Sequence, residues 1–240
     1  MGTLFIVATP IGNLEDITIR AIQTLFSVPV IACEDTRRTG MLLKLLEEKF
    51  SSMFPSDFYK REKPRLLSYY DDIEEMRIPE ILNLLINDTN VALVSDAGTP
   101  AVSDPGFKLI RACREQAVRV ESIPGSSSVI SALVSSGLPT DKFFFFGYPP
   151  KKPGNRERFL QNAKESLEIS KATAIFFESP HRLTKTLEAM LAEFGDIDVV
   201  IAKELTKVHE GVRKEKISVF LEHYKKHEPK GEFVVLLNLN

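Results

Sequence analysis

In the first half of the chain, short continuous apolar runs alternate with longer stretches in which apolar residues recur every three or four positions. Residues 4–8 are apolar and stop at Thr9-Pro10, the pattern of a buried parallel strand. Asp16 then precedes Ile17, Ile19, Ala21, Ile22 and Leu25, which predicts a helix with Asp16 at its N-cap. By the same reasoning residues 28–33 predict a strand, 39–49 a helix, 78–86 a helix with Pro79 in its first turn, and 91–94 a strand. Residues 107–116 predict a helix and 118–123 a strand. Strands separated by helices imply βαβ units and a mainly parallel sheet. Residues 51–65 mix Ser, Pro, aromatic and charged side chains without a period, and predict a surface insertion.

The second half predicts a helix at 126–136 with small residues on one face, a strand at 143–146, and a loop at Pro149-Pro150-Lys151-Lys152-Pro153-Gly154. Helices follow at 155–167 and 183–194, with strands at 174–177, 199–202 and 233–237. No solenoid repeat or low-complexity tract interrupts this. The length of 240 residues suits two α/β domains, expected at 1–120 and 121–240.

Composition narrows the class. The apolar fraction of 43% is that of a globular protein with a buried core. No apolar run approaches the roughly 20 residues that span a bilayer, so no membrane association is expected. The N-terminus lacks the basic segment and cleavage site of a signal peptide, and Ile6 stands where a myristoylation signal needs Ser or Thr. Cys33 and Cys113 are isolated and support neither a disulfide framework nor a metal site, which points to a reducing cytoplasm. The net charge of −2 means that any nucleic-acid contact must come from local basic patches.

Three common signatures are absent: the Walker A loop, the Gly-x-Gly-x-x-Gly dinucleotide turn and the Gly-x-Ser-x-Gly elbow. The histidines are His181, His209, His223 and His227; the last two share a helical spacing within a lysine-rich stretch, which reads as a solvated face. No metal is expected.

The candidate chemistry lies in the loops that follow strands, where open α/β sheets bind ligands. Four are rich in Gly, Pro, small or charged residues: Thr9-Pro10-Ile11-Gly12-Asn13, Glu34-Asp35-Thr36-Arg37-Arg38, residues 95–106, and Pro124-Gly125-Ser126-Ser127-Ser128. Such a texture lets backbone approach a ligand closely. The first is also explained by an ordinary strand-to-helix turn, the second by a solvated corner, and the last by a turn with an N-cap. Ser95-Asp96-Ala97-Gly98-Thr99-Pro100-Ala101-Val102-Ser103-Asp104-Pro105-Gly106 resists such explanation, because it places two Pro, two Gly and two Asp within twelve residues after a core strand. In the second half, Phe177-Glu178-Ser179-Pro180-His181-Arg182 and Lys203-Glu204-Leu205-Thr206-Lys207-Val208-His209-Glu210 also follow strands. Each carries a carboxylate and a basic residue, either as a capped helix start or as a second wall of a cleft. Residues 151–158 form a further basic patch, explained equally by a solvated helix entrance.

With these motifs in their order, the sequence resembles the ribosomal RNA small subunit methyltransferase I family of the tetrapyrrole-methylase superfamily. The resemblance runs through residues 2–18, 33–40, 94–106, 137–141, 178–182, 203–207 and 230–234. It implies a two-domain α/β fold with the cofactor cleft between the domains, a homodimer, and S-adenosylmethionine as methyl donor. It implies methylation of the ribose 2′-OH of a decoding-centre cytidine in 16S rRNA, the substrate being the small ribosomal subunit. Pro10, Asp96, Ala97, Gly98, Thr99, Pro100, Ser126, Ser127, Ser128, Phe177 and Leu205 would line the cofactor. Tyr69-Tyr70-Asp71-Asp72-Ile73-Glu74 stands where the family usually carries a His-Asn-Glu-like stretch, so a histidine role there does not transfer. The family's frequent small C-terminal extension would follow Asn240.

Methyl transfer needs alignment of the attacking oxygen and removal of its proton. Glu34, Asp35, Glu178 and Glu204 are the candidate bases, unranked, since each follows a strand. Arg37, Arg38, Arg182, Lys203 and Lys207 are the candidate phosphate contacts. Two alternatives stand beside this: a methylase of a small tetrapyrrole-like substrate, and a non-catalytic ribosome-associated protein that binds S-adenosylmethionine.

Overall fold

The computed structural model describes residues 1–55, 58–60 and 62–239. The chain forms two compact units, Met1–Ser127 and Ser128–Asn240.

The first unit contains β1 (Thr3–Val7), α1 (Ile19–Ser27), β2 (Val30–Cys33), α2 (Thr36–Phe50), β3 (Arg65–Ser68), α3 (Glu74–Ile86), β4 (Val91–Val94), α4 (Phe107–Glu115) and β5 (Arg119–Ile123). Its sheet has the order β3-β2-β4-β1-β5, and every pairing is parallel. The strands are apolar at successive positions because both faces are covered. Leu4, Ile6, Val30, Ala32, Val91 and Leu93 pack with Ile81 and Leu85 of α3 and Leu109 and Cys113 of α4. Val7, Ile31, Cys33, Ala92 and Val94 pack on the opposite side with Ala21, Ile22 and Leu25 of α1 and Leu46 of α2. This alternation explains why the runs read as buried parallel strands.

Several expected boundaries shift for local reasons. The N-cap of α1 is Thr18, whose hydroxyl accepts from Ala21 N–H at 3.1 Å, while Asp16 closes a 3-10 turn at Leu14–Asp16. Val28 caps α1, so β2 begins only at Val30. Helix α2 starts at Thr36, three residues ahead of the expected Thr39, because Asp35 accepts from Arg37 N–H at 2.8 Å. Arg37 and Arg38 are therefore helical. Helix α3 starts at Glu74, which leaves Pro79 inside the helix rather than in its first turn. The expected domain boundary at 120 falls within β5, which is paired with β1 along its whole length.

The predicted insertion at 51–65 packs inward over part of its length: Phe54 stacks on Phe58 at 4.4 Å, and Phe26 of α1 meets Tyr59 edge-on at 4.8 Å. Ser56, Asp57 and Arg61 lie outside the described residues. Arg65 opens β3, an edge strand.

The second unit contains α5 (Ser128–Ser135), β6 (Phe143–Phe145), α6 (Pro153–Ser170), β7 (Thr173–Glu178), α7 (Pro180–Phe194), β8 (Asp198–Lys203), β9 (Gly211–Lys216), α8 (Ile217–Lys226) and β10 (Phe233–Leu237). Its sheet, β6-β7-β10-β8-β9, is mixed: β6 and β7 are parallel, and the other pairings are antiparallel. Helices α6, α7 and α8 cover one face through Leu160, Leu167, Leu183, Leu187, Ile217 and Phe220. Helix α5 begins at Ser128 and packs on β10, so Ser126 and Ser127 precede the helix. Among the described residues, no helix is long and apolar enough to cross a membrane.

Candidate active site

A parallel sheet places all its strand ends on one edge. In the first unit this edge gathers the loops after β1, β2, β4 and β5. Backbone hydrogen bonds join the first and third: Thr9 N–H donates to Gly98 O at 2.8 Å, and Gly98 N–H donates to Thr9 O at 3.1 Å. Thr99 Oγ1 donates to Ser126 O at 3.0 Å, and Ser126 Oγ donates to Asp16 O at 3.3 Å. Pro10, residues 96–100 and Ser126 thus meet on one edge, and Glu34 joins them by accepting from Asp96 N–H at 3.4 Å. Gly98 has φ +79°, and a Cβ there would sit 3.3 Å from the Ile11 side chain.

The loop after β4 carries unusual backbone. Ala101 and Ser103 take φ of +66° and +63°, and Gly106 takes +142°. Left-handed non-glycine residues cost energy and persist only where their surroundings enforce them. The enforcing group at the loop's far end is the buried Glu74, whose Oε1 accepts from Gly106 N–H at 3.0 Å and from Tyr69 Oη at 2.7 Å. Burial, then this bond to Glu74, raises the Tyr69 phenol well above its ordinary range, so it stays a donor. Tyr69 and Glu74 went unassigned on sequence because they lie outside the glycine-rich loop. Their sign was only a tyrosine and a glutamate flanking a polar turn.

The carboxylates on this edge differ. Glu34 is half-buried, and its pKa is raised by burial, eased by the Asp96 N–H, and raised again by Asp96, Asp104 and Asp71 nearby. Asp104 is raised in the same way, burial first. Asp35 is the opposite: the Arg37 guanidinium and N–H hold it at about 2. Arg37 is tied to Asp35 at 2.8 Å, and Arg38 to Asp96 Oδ2 at 2.7 Å. Asp96 Oδ1 is buried and has no hydrogen-bond partner among the described residues.

In the second unit, Glu178 is committed to structure. Its Oε1 accepts from Ser179 N–H at 2.8 Å and pairs with Arg182 at 2.7 Å, and its Oε2 accepts from Thr186 Oγ1 at 2.5 Å. Arg182 also donates to Ser179 Oγ at 3.1 Å and Pro149 O at 3.0 Å, and lies 5.7 Å from the Tyr148 ring centre. Its donors tie the α7 start to the 148–149 loop. Phe177, the penultimate residue of β7, has its ring 4.7 Å from Phe145 and 5.5 Å from Tyr148. After β8, Glu204 and Thr206 take φ of +50° and +64° around the buried Leu205. Glu204 Oε1 accepts from Glu232 N–H at 2.9 Å and from Lys207 Nζ at 3.0 Å. Burial alone raises its pKa, but these donors outweigh it and the pKa is lowered. Lys207 is also paired with Glu232 at 3.1 Å, whereas Lys203 has no ion pair among the described residues.

In the patch at 151–158, Arg156 turns inward and is buried, while Lys151, Lys152 and Arg158 are exposed. Among the described residues no group of His, Cys, Asp and Glu is arranged to hold a metal.

A fold of this kind, with a glycine-containing strand-end edge lacking the dinucleotide turn, has known relatives. The family model of the tetrapyrrole (corrin/porphyrin) methylases matches residues 3–219, and the chain belongs to that family. Within it, the chain falls among the proteins named ribosomal RNA small subunit methyltransferase I. The protein of that name from Hydrogenobaculum sp. is 47% identical over 98% of this chain and 95% of its own length, and that from Thermotoga maritima is 44% identical over 99% of each. A crystal structure of uroporphyrin-III C-methyl transferase from Thermus thermophilus, complexed with S-adenyl homocysteine, shares the fold. Its TM-score is 0.61 at 16% identity, covering 98% of this chain and 97% of that one.

Proposed function

We propose that this chain transfers the methyl group of S-adenosylmethionine to the ribose 2′-OH of a decoding-centre cytidine in 16S rRNA, acting in the cytoplasm as a homodimer on the small ribosomal subunit. The observation that carries the reading is the edge where Thr9, Gly98, Thr99 and Ser126 are stitched together beside Asp96. The identity of 44–47% to rRNA methyltransferases supports RNA as the substrate over a tetrapyrrole.

The cofactor fits this edge on two counts. Asp96 Oδ1 offers an unused buried acceptor, and Gly98 keeps side-chain bulk away from the backbone of the loop. Pro10, Asp96, Ala97, Gly98, Thr99, Pro100 and Ser126 would hold it from the first unit, and Ser127, Ser128, Phe177 and Leu205 complete the proposed set. When bound, it supplies a methyl group on a positively charged sulfur, already activated toward displacement.

The chain supplies alignment and a proton acceptor. Glu34 is the base of choice, because Asp35 is neutralised by Arg37, Glu178 is held by Ser179, Arg182 and Thr186, and Glu204 by Glu232 N–H and Lys207. A raised pKa makes Glu34 a stronger proton acceptor, and positioned general bases contribute about 10²–10⁴-fold. Asp104 and Asp71 add negative potential that opposes loss of the acquired proton. Lys203, with Arg37 and Arg38 at the α2 start, would contact RNA phosphates, while Arg182 and Lys207 act by holding their loops.

Incubating the protein with purified small subunits and S-adenosylmethionine labelled in the methyl group, then mapping the modified nucleotide, tests the reading. The expected label is on one cytidine ribose; label on a base, or none, overturns it.

A further inference from the structure

The second unit holds a hollow of about 230 Å³ that shares only Lys203 with the residues assigned to methyl transfer. Its walls come from β8, β9, α8 and the segment after α8, with Lys203, Arg213, His223, Tyr224, His227 and Lys230 facing it. Three permanent cations therefore meet one wall carboxylate, Glu228. Lys203 and Lys230 make no ion pair among the described residues, and Arg213 has only a loose one, to Glu215 at 3.5 Å. The Arg213 guanidinium lies over the Phe220 ring, 5.4 Å from its centre, which places the charge at the wall. The expected solvated face at His223 and His227 is thus the lining of a concave, basic surface.

The imidazoles give it a second property. The His223 and His227 rings stack at 4.7 Å with 22° between planes, and Tyr224 meets His223 edge-on at 5.1 Å. Burial first, then Arg213, His227 and Lys203, hold the His223 pKa below its ordinary value, which favours a neutral ring. A stacked aromatic platform beside cations is the arrangement that grips single-stranded nucleic acid. The hollow is smaller than the roughly 300–1,000 Å³ of small-molecule cavities, so it suits one unit of a polymer better than a whole free ligand.

We propose that this hollow is a second contact for single-stranded RNA, binding a phosphodiester through Lys203, Arg213 and Lys230 and an unpaired base on the His223–His227 stack. The inference rests on the reading that the substrate is RNA. Lys203 begins the strained turn around Leu205, so the contact is continuous along the chain with that turn. A near-neutral protein thereby gains a local basic patch.

The test is binding of a fluorescent single-stranded oligoribonucleotide to the full-length protein across a salt series, with methyl transfer to small subunits measured in parallel. Three phosphate-facing cations predict a slope of log affinity against log salt of about −2, and Arg213→Glu or Lys230→Glu should flatten it by about 0.7 or more. His223→Ala should weaken binding about tenfold by removing the base platform. Arg213 and Lys230 are exposed, so these two variants should keep the wild-type melting temperature and S-adenosylmethionine affinity. Unchanged oligonucleotide affinity and unchanged KM for subunits in both charge reversals overturn the contact while leaving the methyl-transfer reading intact. Loss of affinity in both, with no methyl transfer by the wild type, upholds the contact and sinks that reading. Competition by polyaspartate or inorganic phosphate at the same charge concentration, as effective as by RNA, also overturns it.

Discussion

Neighbouring carboxylates at one strand end titrate in opposite directions. Glu34 and Asp35 follow β2 directly, yet one is raised by burial and like charge and the other is held at about 2 by an arginine. For a base the ionised form is active, so lowering the pH through the raised Glu34 pKa removes activity. The acid limb of kcat/KM should therefore lie above the ordinary glutamate value of 4.5. In Glu34→Gln the limb should vanish and the rate fall by about 10²–10⁴-fold; a retained limb would assign the base elsewhere. Glu178 predicts a stability effect instead. Glu178→Ala strands the Arg182 guanidinium, which is only 20% exposed, and should cost about 3 kcal/mol in urea unfolding. A loss below about 0.5 kcal/mol, the level of an ordinary surface substitution, would contradict the buried-pair account.

At the scale of elements, the loop between β4 and α4 is the unit to perturb. A Cβ on Gly106 would meet Leu93 Cδ2 at 2.8 Å, at a φ of +142°. Gly106→Ala should destabilise by about 1–3 kcal/mol and raise hydrogen exchange across residues 101–106. Exchange unchanged from wild type would show that the loop does not depend on the close packing of Gly106 against Leu93. Most helices and strands were legible because both sheets bury apolar runs and the helices keep one apolar stripe. The exceptions have physical reasons. Strand β9 is Gly-Val-Arg-Lys-Glu-Lys, an edge strand with almost no apolar signal, paired only to β8. Strand β3 is short and follows the irregular 51–65 segment. Helix α8 was legible in principle, since Ile217, Phe220, Leu221 and Tyr224 keep helical spacing, but its lysines and histidines masked the stripe. The glycine-rich loop and its flanking serines could be read from composition. The Glu74–Tyr69 anchor could not, because it depends on which strand ends the sheet order brings together.

Across the whole molecule, one strand-end loop in each unit carries a pair of left-handed non-glycine residues: Ala101 and Ser103 in the first, Glu204 and Thr206 in the second. The first is pinned by Glu74 and the second by Glu204, whose side chain would be struck at 2.6 Å by a Cβ on Gly231. We propose the first of these edges as the S-adenosylmethionine site. The most direct measurement is calorimetric titration of the full-length protein with S-adenosylmethionine, beside Asp96→Ala and Gly98→Val. One site per chain is expected in the wild type, with at least about tenfold weaker binding in both variants, equivalent to about 1.4 kcal/mol each. No heat of binding in the wild type, or equal affinity in all three proteins, would contradict it.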